Sequence, residues 1–303
     1  MVENKKFMNE NSVKIPFRER VFVSDLDGTL LNADGGISNK NVDRLNRLIS
    51  DGLKFTIATA RNFDSAGQIL NRLQLNFPAI LFNGACIADI PSGRNRFEPK
   101  AINRLIVDEI LFHSKKFGAK PLLYVFNKKH FLFYQSPVNE GTHNYLDELG
   151  GAIEIKKVGK KFLNFDDIVY GMQWVGTDGE LQDLYNDLNE RLSEKVSLYY
   201  SRDVSMPKYF WLQCLNKDSN KGSGLDNLAE ALGISLSDLV VFGDNVNDVP
   251  MFRKAGKSIA MGNAPEEVKE CAEEVIGSNI DNSVIKYLES NWELYPVSRM
   301  CTD

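Results

Sequence analysis

The feature that most constrains the fold is a rhythm that runs, breaks and resumes. Short apolar runs at 21–23, 55–57 and 79–82 alternate with helix-period segments at 39–51 and 65–73. In the first of these, Val42, Leu45, Leu48 and Ile49 share a face and Gly52 supplies a stop. Strands alternating with helices predict a parallel sheet covered on both faces. After Asn83-Gly84 the pattern changes. Residues 87–97, turning at Pro91-Ser92-Gly93, and 122–134, turning at Asn127-Lys128-Lys129, read as hairpins, with helical stretches near 102–117 and 180–194 and a last strand at 210–215. The first rhythm then returns: helix 223–232, strand 239–242, helix 249–254, strand 258–261, a helix opening at Pro265 and a final one over 282–291. The expected architecture is α/β: a parallel-sheet core, 20–85 and 216–290, interrupted by an α+β insert at 86–215. Residues 1–19 read as a flexible extension and 291–303 as a tail.

Composition narrows the function classes. Lys plus Arg number 36 against 41 acids, a net charge of -5, which disfavours a general nucleic-acid surface but not a pocket for one phosphate. The four cysteines form no C-x-x-C pair and only three histidines are present, so neither a disulfide framework nor a His-rich zinc site is expected. No signal peptide and no apolar run of membrane-spanning length is visible, and a cytoplasmic, monomeric protein is the simplest expectation.

Four segments carry candidate chemistry, and three fall where the expected strands end, the edge at which open parallel sheets bind ligands. Asp25-Leu26-Asp27-Gly28-Thr29-Leu30 follows the first strand. Two acids at i and i+2 repel unless a cation or proton sits between them. A hard cation such as magnesium answers that need, one carboxylate can attack phosphorus and the other can handle protons. An ordinary Asp-Gly turn would read the same way. Thr59, Ala60 and Arg61 follow the second strand. Thr59 offers a hydroxyl beside helix N–H groups to an anion, or is only a cap, and Arg61 either binds substrate or pairs with an acid. Lys221, opening a helix, can neutralise a nucleophile and a phosphate, or is one more solvated lysine. Gly243-Asp244-Asn245-Val246-Asn247-Asp248 follows a late strand and is a metal-binding loop or a plain polar one.

Taken in order and spacing, these segments resemble motifs I to IV of the haloacid dehalogenase (HAD) superfamily. The resemblance covers about 20–290 and implies a Rossmann-like core, the insert being similar to the C2B-type cap of its Cof-like phosphatases. It implies a magnesium-dependent phosphomonoester hydrolase in which Asp25 forms an aspartyl-phosphate and Asp27 is the general acid/base. Phosphatases and phosphomutases of the superfamily carry that second acid; its dehalogenases lack it. Asp25, the Asp27 carbonyl and Asp244 would hold magnesium, with Asp248 behind them. Thr59, the Ala60 amide, Lys221 and Asn247 would bind the phosphate, and Asn83, at the exit to the cap, is a further candidate. Ala60 stands where related phosphatases usually have glycine. The implied partner is a small phosphorylated metabolite, sugar phosphates first. A phosphomutase or phosphotransferase is the nearest alternative and a catalytically silent binding module a more distant one. The aromatics Tyr124, Phe126, Phe131, Phe133, Tyr134, Tyr209 and Trp211 read as cap core or as a specificity pocket.

Overall fold

The computed structural model describes residues 16–90, 92–149, 153–159, 163–203 and 206–294. Its elements are, in order, β1 (Val21–Ser24), α1 (Asn39–Ser50), β2 (Lys54–Ile57), α2 (Phe63–Leu70), β3 (Ala79–Leu81), β4 (Cys86–Ala88), α3 (Arg104–Lys116), β5 (Leu122–Asn127), β6 (Lys129–Tyr134) and α4 (Glu140–Glu148). There follow β7 (Glu154–Lys157), β8 (Ile168–Gly176), α5 (Asp178–Leu192), β9 (Val196–Arg202), β10 (Phe210–Asn216) and α6 (Lys221–Leu232). The chain closes with β11 (Leu239–Gly243), α7 (Val249–Phe252), β12 (Lys257–Ala260), α8 (Glu266–Lys269), β13 (Glu274–Val275) and α9 (Ser283–Leu294).

One sheet is parallel throughout, in the order β13-β12-β11-β1-β2. β1 and β11 are buried along their whole length, which is why both read as continuous apolar runs. The chain moves from β1 to β2 on one side and returns from far along the sequence to β11 on the other. The carboxyl ends of β1, β2 and β11 therefore meet at a switch in strand order, where such sheets open a crevice. Helix α1, capped by Ser38 accepting from the Asn41 amide, packs Val42, Leu45, Leu48 and Ile49 beneath it.

The second sheet runs β7-β6-β5-β8-β10-β9 and is antiparallel except for the β6–β7 pair. Its strands alternate faces. Leu123, Val125, Phe131 and Phe133 pack with Val107 and Ile110 of α3 and with Leu181, Leu184 and Leu188 of α5. Leu122, Tyr124 and Leu132, on the opposite face, join Phe82 and Ala85 from the first part of the chain. A Rossmann-like parallel core carrying an inserted α+β cap is the architecture expected from the sequence.

Several details differ. The hairpin expected over 87–97 is present but short: Ala88 bridges Asn95, the Arg96 amide donates to the Ile87 carbonyl at 2.8 Å and the Asp89 amide to the Arg94 carbonyl at 3.0 Å, while β4 also pairs with β3. Pro91, at that turn, lies outside the described residues. Around the crossing into the cap, Cys86 and Ala88 of β4 pack into the cluster beneath β1 and β2, while Phe82 and Ala85 pack with the second sheet. Helix α2 begins at Phe63, since Asn62 accepts from the Ser65 amide and so caps it two residues before the expected start. Within 1–19, residues 1–15 lie outside the described part, while Phe17 packs on Phe22 with ring centroids 4.7 Å apart. At the other end α9 continues to Leu294, Trp292 is buried in the core and Arg18 lies over its ring at 4.0 Å. Hydrophobic contact extends the core past both expected ends.

Candidate active site

The site is built from the ends of β1, β2 and β11 and the start of α6. Asp25 follows β1, and its amide donates to the Phe242 carbonyl at 2.9 Å, which fixes the turn against β11. The chain then bends through 26–30 with Gly28 at φ 75°. A Cβ at Gly28 would lie 2.2 Å from Asp244 Oδ2, so glycine is required both for the turn and for the approach of the Asp244 carboxylate. Asp244 is held by Thr29, whose hydroxyl donates to Oδ1 at 2.6 Å.

Lys221 is the first residue of α6, whose N-cap is Asn220. Its ammonium lies 2.7 Å from Asp25 Oδ1 and 2.6 Å from Asp248 Oδ1, and it is buried completely. Asp248 is equally buried, and its other oxygen accepts from the amides of Asp244 (2.9 Å) and Asn245 (3.0 Å). Both Asp248 oxygens are thus engaged in holding Lys221 and the β11 loop, whereas Asp25 and Asp244 each spend one oxygen on a protein donor. Carboxylate oxygens of Asp25, Asp244 and Asp248 all lie within 4.8 Å of one another.

The electrostatics follow from burial. Desolvation pushes the Asp25 carboxyl well above its usual range; Lys221 opposes this, while Asp248 and Asp244 add to it. Desolvation likewise raises Asp244 to about 6 against the pull of the Thr29 hydroxyl. Lys221 loses solvation too, yet Asp248 and Asp25 outweigh that loss and hold it protonated. Three carboxylates against one ammonium leave the cluster short of positive charge. All the donors being oxygens, the missing charge fits a hard divalent cation.

Asp27 points elsewhere. Arg61 grips it with two parallel bonds, Nε to Oδ2 at 2.8 Å and Nη2 to Oδ1 at 2.7 Å, and sends a third to Ser65 Oγ at 3.1 Å. Of the two readings of Arg61, the acid pair is the one this structure contains. Thr59 is fully buried at the end of β2, its hydroxyl accepting from the Arg61 amide at 3.1 Å. The Ala60 carbonyl accepts from Gln213 Nε2 at 3.2 Å. Asn83 sits in a left-handed conformation (φ 47°), directly after Phe82 at φ 52°. Its Oδ1 accepts from Asn247 Nδ2 at 3.1 Å, and its Nδ2 donates to Gln213 Oε1 at 3.0 Å. Asp25, Lys221, Asp244 and Asp248 therefore form one cluster, and Thr59, Ala60, Asn83 and Asn247 surround the adjoining loops. Gln213, on β10, was not singled out in the sequence; a glutamine on a strand becomes visible only when the fold carries β10 against the β2 loop.

A parallel sheet with acids at its carboxyl edge and an inserted second sheet define an α/β protein built of a core and a cap. The haloacid dehalogenase-like hydrolase family model matches residues 22–288, and the chain belongs to that family. A 5-amino-6-(5-phospho-D-ribitylamino)uracil phosphatase of Bacillus subtilis is 27% identical over 277 residues, 91% of this chain and 96% of that one. A solved Thermotoga maritima structure is 28% identical with TM-score 0.72, covering 89% of this chain and 97% of its own. A HAD subclass IIB sugar phosphatase shares the fold at TM-score 0.64 and 23% identity, covering 89% and 98%. The chain is an enzyme of the family's phosphatase class. Among the described residues no helix is long and apolar enough to cross a membrane.

Proposed function

We propose that this chain is a magnesium-dependent phosphomonoester hydrolase acting through an aspartyl-phosphate on Asp25. The observation that carries the reading is the buried Asp25–Lys221–Asp248 chain set beside Asp244. Asp25 and Asp244, with the Asp27 carbonyl, would hold the cation, and Asp248 would stand behind them because its own oxygens are already engaged. When bound, the cation supplies charge neutralisation at the transferring phosphoryl group. Lys221 neutralises Asp25 as a second anion approaches, and the Thr59 hydroxyl, the Ala60 amide and Asn247 line the phosphate end. Asp25 attacks phosphorus in line, and Asp27 gives a proton to the leaving oxygen, then takes one from the water that hydrolyses the acyl phosphate.

The substrate we favour is a small metabolite bearing its phosphate on a polyhydroxylated carbon chain. Two relatives support this: one is named for a phosphoribityl compound and the other is a sugar phosphatase. A monomer suffices for this chemistry.

Phosphate release from a panel of phosphorylated metabolites, with magnesium and with EDTA, tests the reading. Wild type should release phosphate only with the metal. Asp25→Asn should show no turnover, and Asp27→Asn a loss of about a hundredfold or more, the usual worth of a positioned acid/base. Metal-independent release, or full activity in Asp25→Asn, would refute the mechanism.

A further inference from the structure

The geometry points to Gln213 as a positioning residue that the cap lends to the phosphate end of the core site, an inference that rests on the phosphatase reading above. Its side chain is 5% exposed and bridges two core loops. Nε2 donates to the Ala60 carbonyl at 3.2 Å and Oε1 accepts from Asn83 Nδ2 at 3.0 Å. Asn83 Oδ1 in turn accepts from Asn247 Nδ2 at 3.1 Å.

The direction of this relay is set at one end. A backbone carbonyl can only accept, so Gln213 must turn its NH2 toward Ala60 and its oxygen toward Asn83. Asn83 must then present its NH2 to Gln213 and its oxygen to Asn247. Each amide fixes the next, and none of the three can flip alone without setting two oxygens or two NH2 groups against each other. The relay ends at Asn247 Oδ1, which is buried and has no hydrogen-bond partner among the described residues. It also leaves Asn83 and Asn247 each with a second amide proton, the donor type that an anionic phosphoryl group takes. Asn83 is held in a strained left-handed backbone beside Phe82, so its placement depends on outside support, and Gln213 provides it from the other sheet. A cap that lifts away removes that support, so the donors are aligned only when the cap is seated.

The test compares Gln213→Leu, Asn83→Ala and the double variant by kcat/KM on p-nitrophenyl phosphate and by the affinity for inorganic phosphate in calorimetry. Gln213→Leu should lower both by about tenfold to a hundredfold, the worth of orphaning a buried amide. Once Asn83 is gone, adding Gln213→Leu should cost less than threefold more, because the relay is already broken. Effects that multiply, or unchanged phosphate affinity in Gln213→Leu, would overturn the proposal. The side-chain amide resonances of Asn83 and Asn247 give a readout that needs no turnover: they should shift and lose exchange protection in Gln213→Leu, and constancy would overturn the assignment. Gln213→Glu, similar in size but unable to donate to Ala60, carries the same comparisons should the leucine variant not fold. A wild type that binds phosphate but hydrolyses nothing would sink the phosphatase reading, while the resonances still decide the relay.

Discussion

At Asp27 the Arg61 guanidinium fixes both oxygens of one carboxylate while its third arm reaches Ser65. Two parallel bonds to a planar fork define an orientation that a point charge cannot. Arg61→Lys should therefore lower kcat/KM about tenfold and Arg61→Met about a hundredfold, in steps of roughly 1.4 kcal/mol per decade. Steady-state kinetics on one phosphomonoester decide this; an Arg61→Met enzyme with wild-type kcat/KM would make the pair incidental to the reaction. Singly, the residues of the acidic cluster read equally well as turns or surface groups; they were legible because the four segments, taken in order, resemble the family's motifs, and a parallel sheet gathers the strand ends that carry most of them. Gln213 was not. Nothing local marks a strand glutamine whose partners lie on residues 60 and 83.

Among the elements, the parallel strands could be read because burial on both faces leaves unbroken apolar runs. The cap was harder. β7 is Glu-Ile-Lys-Lys and mostly exposed, β9 ends in polar residues, and α4 has few apolar positions, so none stood out. β8 was missed although it is long and almost wholly buried, because its glycines interrupt the run. The β5–β6 hairpin was legible from its turn, and it carries a titratable group at the joint with the core. His130 is buried, with Nδ1 taking the Tyr170 hydroxyl at 2.9 Å and Nε2 donating to Asn95 Oδ1 at 3.0 Å. Its ring stacks on Phe63 at 6.3 Å and 6°. Desolvation lowers its pKa from 6.5 to about 4, so the folded protein favours the neutral ring. Protonation then favours the unfolded chain, and the stability contributed by His130 is complete above about pH 6.5 and is lost as pH falls toward 4. Between pH 7 and pH 5 this one group should cost about 2 kcal/mol, an order-of-magnitude figure. Asp25 and Asp244, whose carboxyls are raised, change stability in the opposite sense over this range, so the contribution is read as a difference: in urea unfolding at the two pH values wild type should lose about 2 kcal/mol more, or gain that much less, than His130→Gln. Equal changes in both proteins would remove His130 as the cause.

At the scale of the whole molecule, the question is how closely the cap must seat for the core loops to hold their shape. Asn62, at the cap of α2, donates to the Tyr124 hydroxyl at 3.1 Å and to that of Tyr145, and the two tyrosines bond each other. Phe82, whose backbone precedes Asn83, packs on Tyr124 at 4.5 Å and on Tyr170 at 5.8 Å. Behind this ring runs β8, and at Gly171 a Cβ would come within 2.5 Å of Phe82 Cε1. The ring is buried and its backbone already left-handed, so it has no cheap way to retreat. Gly171→Ala should therefore push β8 and Phe82 apart and lower the melting temperature, since overpacking costs about 1–3 kcal/mol. It should also raise KM, because Phe82 carries Asn83 with it. Gly179→Ala, in helix α5 where an added Cβ meets nothing, is the matched control and should leave KM unchanged while melting no lower than wild type. Comparing the three proteins by thermal melts and steady-state kinetics separates a seated cap from a loosely hinged one. A Gly171→Ala enzyme that melts low yet keeps its KM would mean that the cap can shift without disturbing the Asn83 loop and the proposed phosphate site beside it.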